Sequence, residues 1–369
     1  MFSHLHRAVL QKRVSLYENG FFKSFSLGAF AVSVGNLTVG GTGKTPLVAC
    51  AAEILAEAGE TVCIISRGYK RENPKNRVLV SDGEKILANA KHAGDEPFEM
   101  ANKLCGKAIV IADADRVSAA GWAREKFGAT AFVLDDAFQH RKAKRDLNVV
   151  VLDATNPFGN YKILPTGILR ESLKNLNRAD LIVISRANLI ENTADLKMKI
   201  REYNSDCPIF VSENKISNLI EIREFNAKTQ RREDIKEKTE SPTKADENEF
   251  VIDEGKSGIW NLESGIGKVL AFCALGNPNN FYEQLRREQF NLIHVETFPD
   301  HHFYRQSDIE KLDAKAKQIG AEILLTTAKD AVKLKDLHLK TSCYVVEIEL
   351  RFDDVTGFRE TIENFTQRD

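Results

Sequence analysis

The sequence predicts an α/β protein: a mostly parallel sheet with helices on both faces, plus a smaller C-terminal α/β domain. Three observations carry that prediction. Short, continuous apolar runs alternate with helix-patterned stretches from Ala31 onward, as parallel strands buried on both faces require. The rhythm changes once, around residue 208, and then resumes. The chain has 369 residues, 43% hydrophobic and 28% charged, which is enough for two or three domains with a sizeable core.

Residues 1–30 stand apart from the rest of the chain. Arg7, Lys12, Arg13 and Lys23 face one acid, Glu18, for a local charge of +3. Phe2, Leu5, Val9, Leu16, Phe21, Phe22, Phe25 and Phe30 are interspersed, the first three at helical spacing. Such a segment either docks on the protein's own core, the commoner fate, or lies in the headgroup plane of an anionic membrane. The next domain, 31–207, carries apolar runs at Ala31–Val34, Thr61–Ile65, Ala108–Ile111, Ala131–Leu134, Asn148–Leu152 and Leu181–Ile184, with helical patterns such as Pro46–Ala58 and Arg116–Phe127 between them.

The smaller domain is expected over 208–369. Pro208–Val211 and Leu219–Arg223 read as two short strands. Lys228–Glu249 then holds 13 charged residues in 22, with only Ile235 and Ala245 apolar, and reads as a solvated insertion. Beyond it, Val269–Ala274, Leu292–Glu296, Glu322–Leu325 and Cys343–Val346 read as strands, and Asn280–Glu288 and Asp308–Ile319 as helices.

Composition excludes several classes. A net charge of −1 argues against a general nucleic-acid binder. The longest apolar run, Val269–Leu275, is far short of the roughly 20 residues of a membrane-spanning helix. No signal peptide is expected. The six cysteines contain no C-x-x-C pair and read as reduced thiols of a cytosolic protein. No obligate protein partner is evident.

The chemistry begins at Val39-Gly40-Gly41-Thr42-Gly43-Lys44-Thr45-Pro46, between the first strand and the first helix. Three glycines let the backbone curl so that successive N–H groups face phosphate oxygens. Lys44 would reach the β- and γ-phosphates and the Thr45 hydroxyl would hold Mg²⁺. Thr38 stands where the strict G-x-x-x-x-G-K-[ST] pattern has its first glycine. The fold class is therefore P-loop NTPase-like. A P-loop announces a nucleoside triphosphate, not a reaction.

The reaction must come from other residues. Asp135-Asp136 follows a buried strand, where a second Mg²⁺ contact belongs, although an aspartate there can also cap a helix. Asp95 in Gly94-Asp95-Glu96-Pro97 can be a helix N-cap or can accept a proton from an attacking hydroxyl. Asp300-His301-His302 fits base chemistry or a solvated loop. Arg67, Arg116, His140, Arg141 and Arg170 lie near expected strand ends and could grip a phosphorylated acceptor.

In order along the chain, Ser33-Val34-Gly35-Asn36, the P-loop, Ser66-Arg67-Gly68-Tyr69, Gly94-Asp95-Glu96-Pro97, Asp135-Asp136-Ala137-Phe138-Gln139-His140, Pro165-Thr166-Gly167-Ile168-Leu169-Arg170-Glu171 and Phe298-Pro299-Asp300-His301-His302 together resemble the tetraacyldisaccharide 4'-kinase family of lipid A biosynthesis. Ala137 departs from the family pattern, which commonly has Gly there. The resemblance implies ATP-dependent phosphorylation of the 4'-hydroxyl of a tetraacylated glucosamine disaccharide 1-phosphate, with a C-terminal domain that closes over the nucleotide. It implies Asp95 as base with His301 as its partner, and ATP held by Gly40, Gly41, Thr42, Gly43, Lys44 and Thr45. It further implies Thr45, Glu96, Asp135 and Asp136 around Mg²⁺, and Arg67, Arg116, His140 and Arg170 on the acceptor. It favours the membrane reading of residues 1–30, as a peripheral anchor on the cytoplasmic face of the inner membrane. The alternative is a P-loop switch or metallochaperone GTPase. That class needs a guanine-specifying motif such as N-K-x-D, and Ser185-Arg186-Ala187-Asn188 does not match it.

Overall fold

The structure is a computed structural model that describes residues 12, 14–17, 19–223 and 267–366. The charged segment 228–249 and most of the basic segment's first 18 residues lie outside the described residues. The chain divides into two units, Met1–Lys215 with Leu350–Asp369, and Ile216–Glu349.

In the first unit, β1 (Phe30–Gly35), β2 (Val62–Ser66), β4 (Ile109–Ala112), β5 (Ala131–Asp135), β6 (Leu147–Asp153), β7 (Leu181–Ser185) and the start of β8 (Ile209–Glu221) run parallel. Their order is β8-β7-β6-β1-β5-β2-β4, closed at the edge by β3 (Val78–Asp82), which is antiparallel to β4. β2, β4, β5 and β7 are buried along their whole length, so both sheet faces are covered and each strand reads as an unbroken apolar run. One layer packs Val117, Ala119, Ala120 and Ala123 of α4 (Arg116–Phe127) onto Ile65, Ile111 and Phe132. The other packs Leu173, Leu176 and Ile200 onto Val150, Leu152 and Ile182.

Three further helices belong to the site's surroundings: α1 (Lys44–Glu57), the short α2 (Ala90–Ala93) and α3 (Asp95–Lys103). On this unit's surface α5 (Ala194–Arg201) turns inward only through Ile200.

The second unit carries β9 (Val269–Cys273), β10 (Leu292–Thr297), β11 (Ile323–Thr327) and β12 (Cys343–Phe352) in the order β10-β9-β11-β12, all parallel. Its helices are α6 (Pro278–Arg287), α7 (Gln306–Ile319) and the short α8 (Ala328–Ala331).

Three expectations change. The two strands expected at 208–223 are one, β8, because its polar middle, Glu213-Asn214-Lys215, stays in strand geometry. The antiparallel edge strand β3 has no counterpart in the sequence reading. The boundary expected at 207/208 falls at 215/216, and the chain's last stretch returns to the first unit. There α9 (Val355–Thr366) packs against α1, with Arg359 paired to Glu57 at 2.6 Å and Phe358 buried between Phe210 and Phe352.

Candidate active site

Because seven strands of the first unit are parallel neighbours, their carboxyl ends form one edge, where open α/β sheets bind ligands. The order β6-β1-β5 puts β1 where the chain changes direction across the sheet, and the glycine loop leaves its end.

The loop occupies residues 36–43, and α1 begins at Lys44 behind Gly43, whose φ of 83° is left-handed. Gly40, at φ 107°, is the other turn that needs glycine. Thr38 needs no glycine: it is buried and pairs antiparallel with Leu169, with Val39 N–H donating to the Ile168 carbonyl at 2.8 Å. The Pro165–Arg170 motif is thus a strap along the loop's first half. Lys44 lies 3.5 Å from Asp136.

Asp135 ends β5 and is 2% exposed. Ser66, at the end of β2, donates to it at 2.7 Å. Burial, then the charges of Glu96 and Asp136, push Asp135 up to about 7, so the acids of two separate motifs share one field. Burial also pushes Asp136 upward, but Lys44 and Arg170 outweigh it and hold that carboxylate below its ordinary value. Arg170 reaches both Asp136 oxygens, at 2.7 and 2.8 Å. The left-handed turn falls on Asp136 (φ 48°) and not on Ala137, whose methyl lies in the core; alanine is therefore accommodated where the family pattern has glycine.

Two motifs meet through glycines. Gly94 precedes Asp95 at φ 93° and ψ 154°, and a Cβ there would come within 3.0 Å of the Gly68 Cα. A Cβ on Gly68 would come 2.5 Å from the Ala93 carbonyl. This backbone-to-backbone approach sets the Ser66–Tyr69 turn against the start of α3. Asp95 is therefore in the first turn of α3 and is not its N-cap; it is buried, with Glu96 half-buried beside it.

The expected acceptor residues differ in their present partners. Arg67 is exposed. Arg116 is buried and donates to the Asp135 backbone carbonyl at 3.3 Å. Arg170 is engaged by Asp136. His140 is a neutral imidazole, not a cation, because burial and then Arg116 and Arg145 lower it to about 4.

In the second unit His301 is left-handed (φ 63°), its N–H bound to the Ala274 carbonyl at 3.3 Å and its ring 3.7 Å from Asp300. His302 points elsewhere: it bonds Asp308 at 3.0 Å and stacks on Phe298.

Sequence reasoning assigned no role to Ser66, Gln139 or Glu171. Gln139 bridges the Asn36 carbonyl and Glu171, both at 2.8 Å, and Glu171 also takes Arg178 at 2.6 Å. The Asp-Asp motif is tied through this network to the loop's first residue. The signal available was position: each follows a strand's last apolar residue or sits inside a quoted motif.

Comparison with known proteins gives one consistent result. The family model described as tetraacyldisaccharide-1-P 4'-kinase matches residues 1–367. A tetraacyldisaccharide 4'-kinase of Halothermothrix orenii is 34% identical, covering 98% of this chain and 90% of its own. Its counterpart from Elusimicrobium minutum is 36% identical, covering 91% and 82%. The crystal structure of Aquifex aeolicus LpxK in complex with ATP has a TM-score of 0.70 and 29% identity, covering 99% of this chain and 97% of that one.

Proposed function

This chain belongs to the tetraacyldisaccharide-1-P 4'-kinase family, and from that premise we propose how its residues carry the reaction. It is an ATP-dependent kinase that phosphorylates the 4'-hydroxyl of a tetraacylated glucosamine disaccharide 1-phosphate in lipid A biosynthesis. The switch-GTPase alternative is not favoured.

The observation that carries the assignment of roles is the place of Lys44, 3.5 Å from Asp136 and at the start of the helix behind the glycine loop, with Asp135 ending the strand next to β1. Gly40, Gly41, Thr42 and Gly43 offer N–H groups to the ATP phosphates. Lys44 exchanges its contact with Asp136 for the β- and γ-phosphates. Mg²⁺ binds through carboxylate oxygens and completes its shell with phosphate oxygens and water. The neighbouring acids Glu96 and Asp136 that raise Asp135 are a setting in which a cation would be favoured. Thr45, Glu96, Asp135 and Asp136 are its proposed holders, and it would neutralise charge on the transferring phosphoryl group.

Phosphoryl transfer depends mostly on positioning and electrostatics. Asp95 orients the 4'-hydroxyl and takes its proton late in the transfer. His301 assists in proton handling. Arg67, Arg116, Arg170 and neutral His140 are the proposed acceptor contacts, with His140 as a hydrogen-bonding group. Residues 1–30 supply a peripheral anchor on the cytoplasmic face of the inner membrane.

The test is incubation with ATP, Mg²⁺ and the disaccharide 1-phosphate, read by mass for one added phosphate. Asp95→Ala is expected to lower turnover by roughly a hundredfold or more, on the scale of general-base catalysis, with ATP affinity kept. Near-normal turnover in that variant removes Asp95 from the mechanism.

A further inference from the structure

The glycine loop is held from behind by the ends of two strands that no part of the proposed mechanism uses. Arg186, the first residue after β7, donates Nη1 to the Gly41 carbonyl at 2.6 Å. The same Nη1 pairs with the carboxylate of Asp153, the last residue of β6. Ser185, the last residue of β7, donates its hydroxyl to the Thr42 carbonyl at 2.8 Å. Asn36 Nδ2 donates to the Thr42 hydroxyl at 2.9 Å. Asp153 is 5% exposed and its other oxygen takes the Thr155 N–H and hydroxyl, at 3.0 and 2.7 Å. Arg186 sits at φ 58°, a left-handed conformation that a non-glycine residue keeps only when its surroundings impose it.

In a trans peptide unit the C=O and N–H lie in one plane and point in opposite directions across the C–N bond. Fixing the Gly41 carbonyl towards Arg186 therefore turns the Thr42 N–H the other way, and fixing the Thr42 carbonyl towards Ser185 does the same for the Gly43 N–H. Those N–H groups are the ones a phosphate nest needs. A loop with glycine at 40, 41 and 43 has many conformations to lose on binding, and restraint before binding lowers that cost.

We propose that Arg186, anchored by Asp153 and seconded by Ser185, is a positioning device that presets the loop's N–H groups for the ATP phosphates. The segment after β7, where the GTPase alternative required a base-reading motif, here grips the phosphate loop. The proposal rests on the reading of that loop as the ATP site.

The test measures ATP binding by calorimetry, KM for ATP and for the acceptor, and thermal melting in Arg186→Ala, Arg186→Lys, Ser185→Ala and Arg186→Ala/Asp153→Asn. Arg186→Ala is expected to weaken ATP binding about tenfold, the size of one charge-assisted hydrogen bond, with the acceptor KM unchanged and kcat at saturating ATP lowered less than threefold. Arg186→Lys recovers part of the loss, and Ser185→Ala loses about threefold. The double variant removes the carboxylate that Arg186→Ala deprives of its guanidinium, and so remains informative if Arg186→Ala folds poorly. It should bind ATP no more weakly than Arg186→Ala, because the two side chains act as one unit. ATP affinity within twofold of wild type in the double variant overturns the proposal, as does a parallel rise of both KM values. Lys44→Ala separates the two levels: ATP binding lost there but kept in the double variant refutes the brace alone, whereas ATP binding kept in Lys44→Ala refutes the loop as the ATP site.

Discussion

Burial and the charges of Arg116 and Arg145 lower His140 to about 4, from an ordinary value of 6.5. Its Nδ1 finds no hydrogen-bond partner among the described residues, and its own backbone and Asp115 offset the cost of charging it only in part. A group whose folded value is depressed contributes stability that is complete above its unfolded value and is lost as pH falls through the folded one. The window is therefore from about pH 6.5 down to about pH 4. We predict that His140→Gln loses less melting temperature than wild type across that window and behaves alike above it. Parallel melting profiles for the two proteins, followed by circular dichroism, would contradict the assignment of His140 as a half-buried neutral group.

At the scale of elements, the contact of Gly68 with Gly94 joins two motifs far apart in sequence. Gly94 has backbone angles that only glycine adopts without strain, and there is no room for a methyl group beside it. Gly94→Ala is expected to cost about 1–3 kcal/mol in denaturant unfolding, the usual range for imposed backbone strain. It is also expected to lower turnover at least tenfold while leaving the ATP KM within twofold, because α3 shifts and the loop before α1 does not. An ATP KM that rises with the loss of turnover would show that the two regions are not separable. The elements themselves were largely legible, and the reason is burial. β2, β4, β5 and β7 are continuous apolar runs because water meets neither face. β3 was missed because Val78 and Leu79 are only half-buried and its partner is antiparallel. α1 begins before Pro46 because a proline in the first turn removes no helical hydrogen bond. The acids and cations of the site could be read as motifs. The bonds that hold them could not, since Arg186 to Gly41, Gln139 to Asn36 and Arg116 to Asp135 all end on backbone carbonyls, which every residue has.

At the scale of the molecule, the substrate is a lipid, and no helix among the described residues is long and apolar enough to cross a membrane. The proposed peripheral anchor includes residues 19–30, among the described residues. In the first unit Phe21 is 79% exposed, and Phe22 and Phe25 are exposed beside it, with Lys23 between them. Phe25 pairs parallel with Ala143, its N–H bound to the Lys142 carbonyl at 2.8 Å and its carbonyl to the Lys144 N–H at 2.8 Å. That pairing brings a second basic stretch, Arg141 to Lys144, alongside the aromatic one. Three neighbouring exposed phenylalanines are costly in water and mark an interaction surface. Flanking lysines match the negative surface of anionic lipids, each worth about 1 kcal/mol near it. Phe21→Ser, Phe22→Ser and Phe25→Ser together should reduce sedimentation with phosphatidylglycerol vesicles at least tenfold. ATP affinity should stay unchanged, because the substitutions lie outside the loop and its supports. Lys23→Glu with Lys144→Glu should make the remaining binding lose its salt dependence, since screening acts on the charged part of the attraction and not on the apolar part. Vesicle binding that survives the triple substitution would place the docking surface elsewhere on the chain.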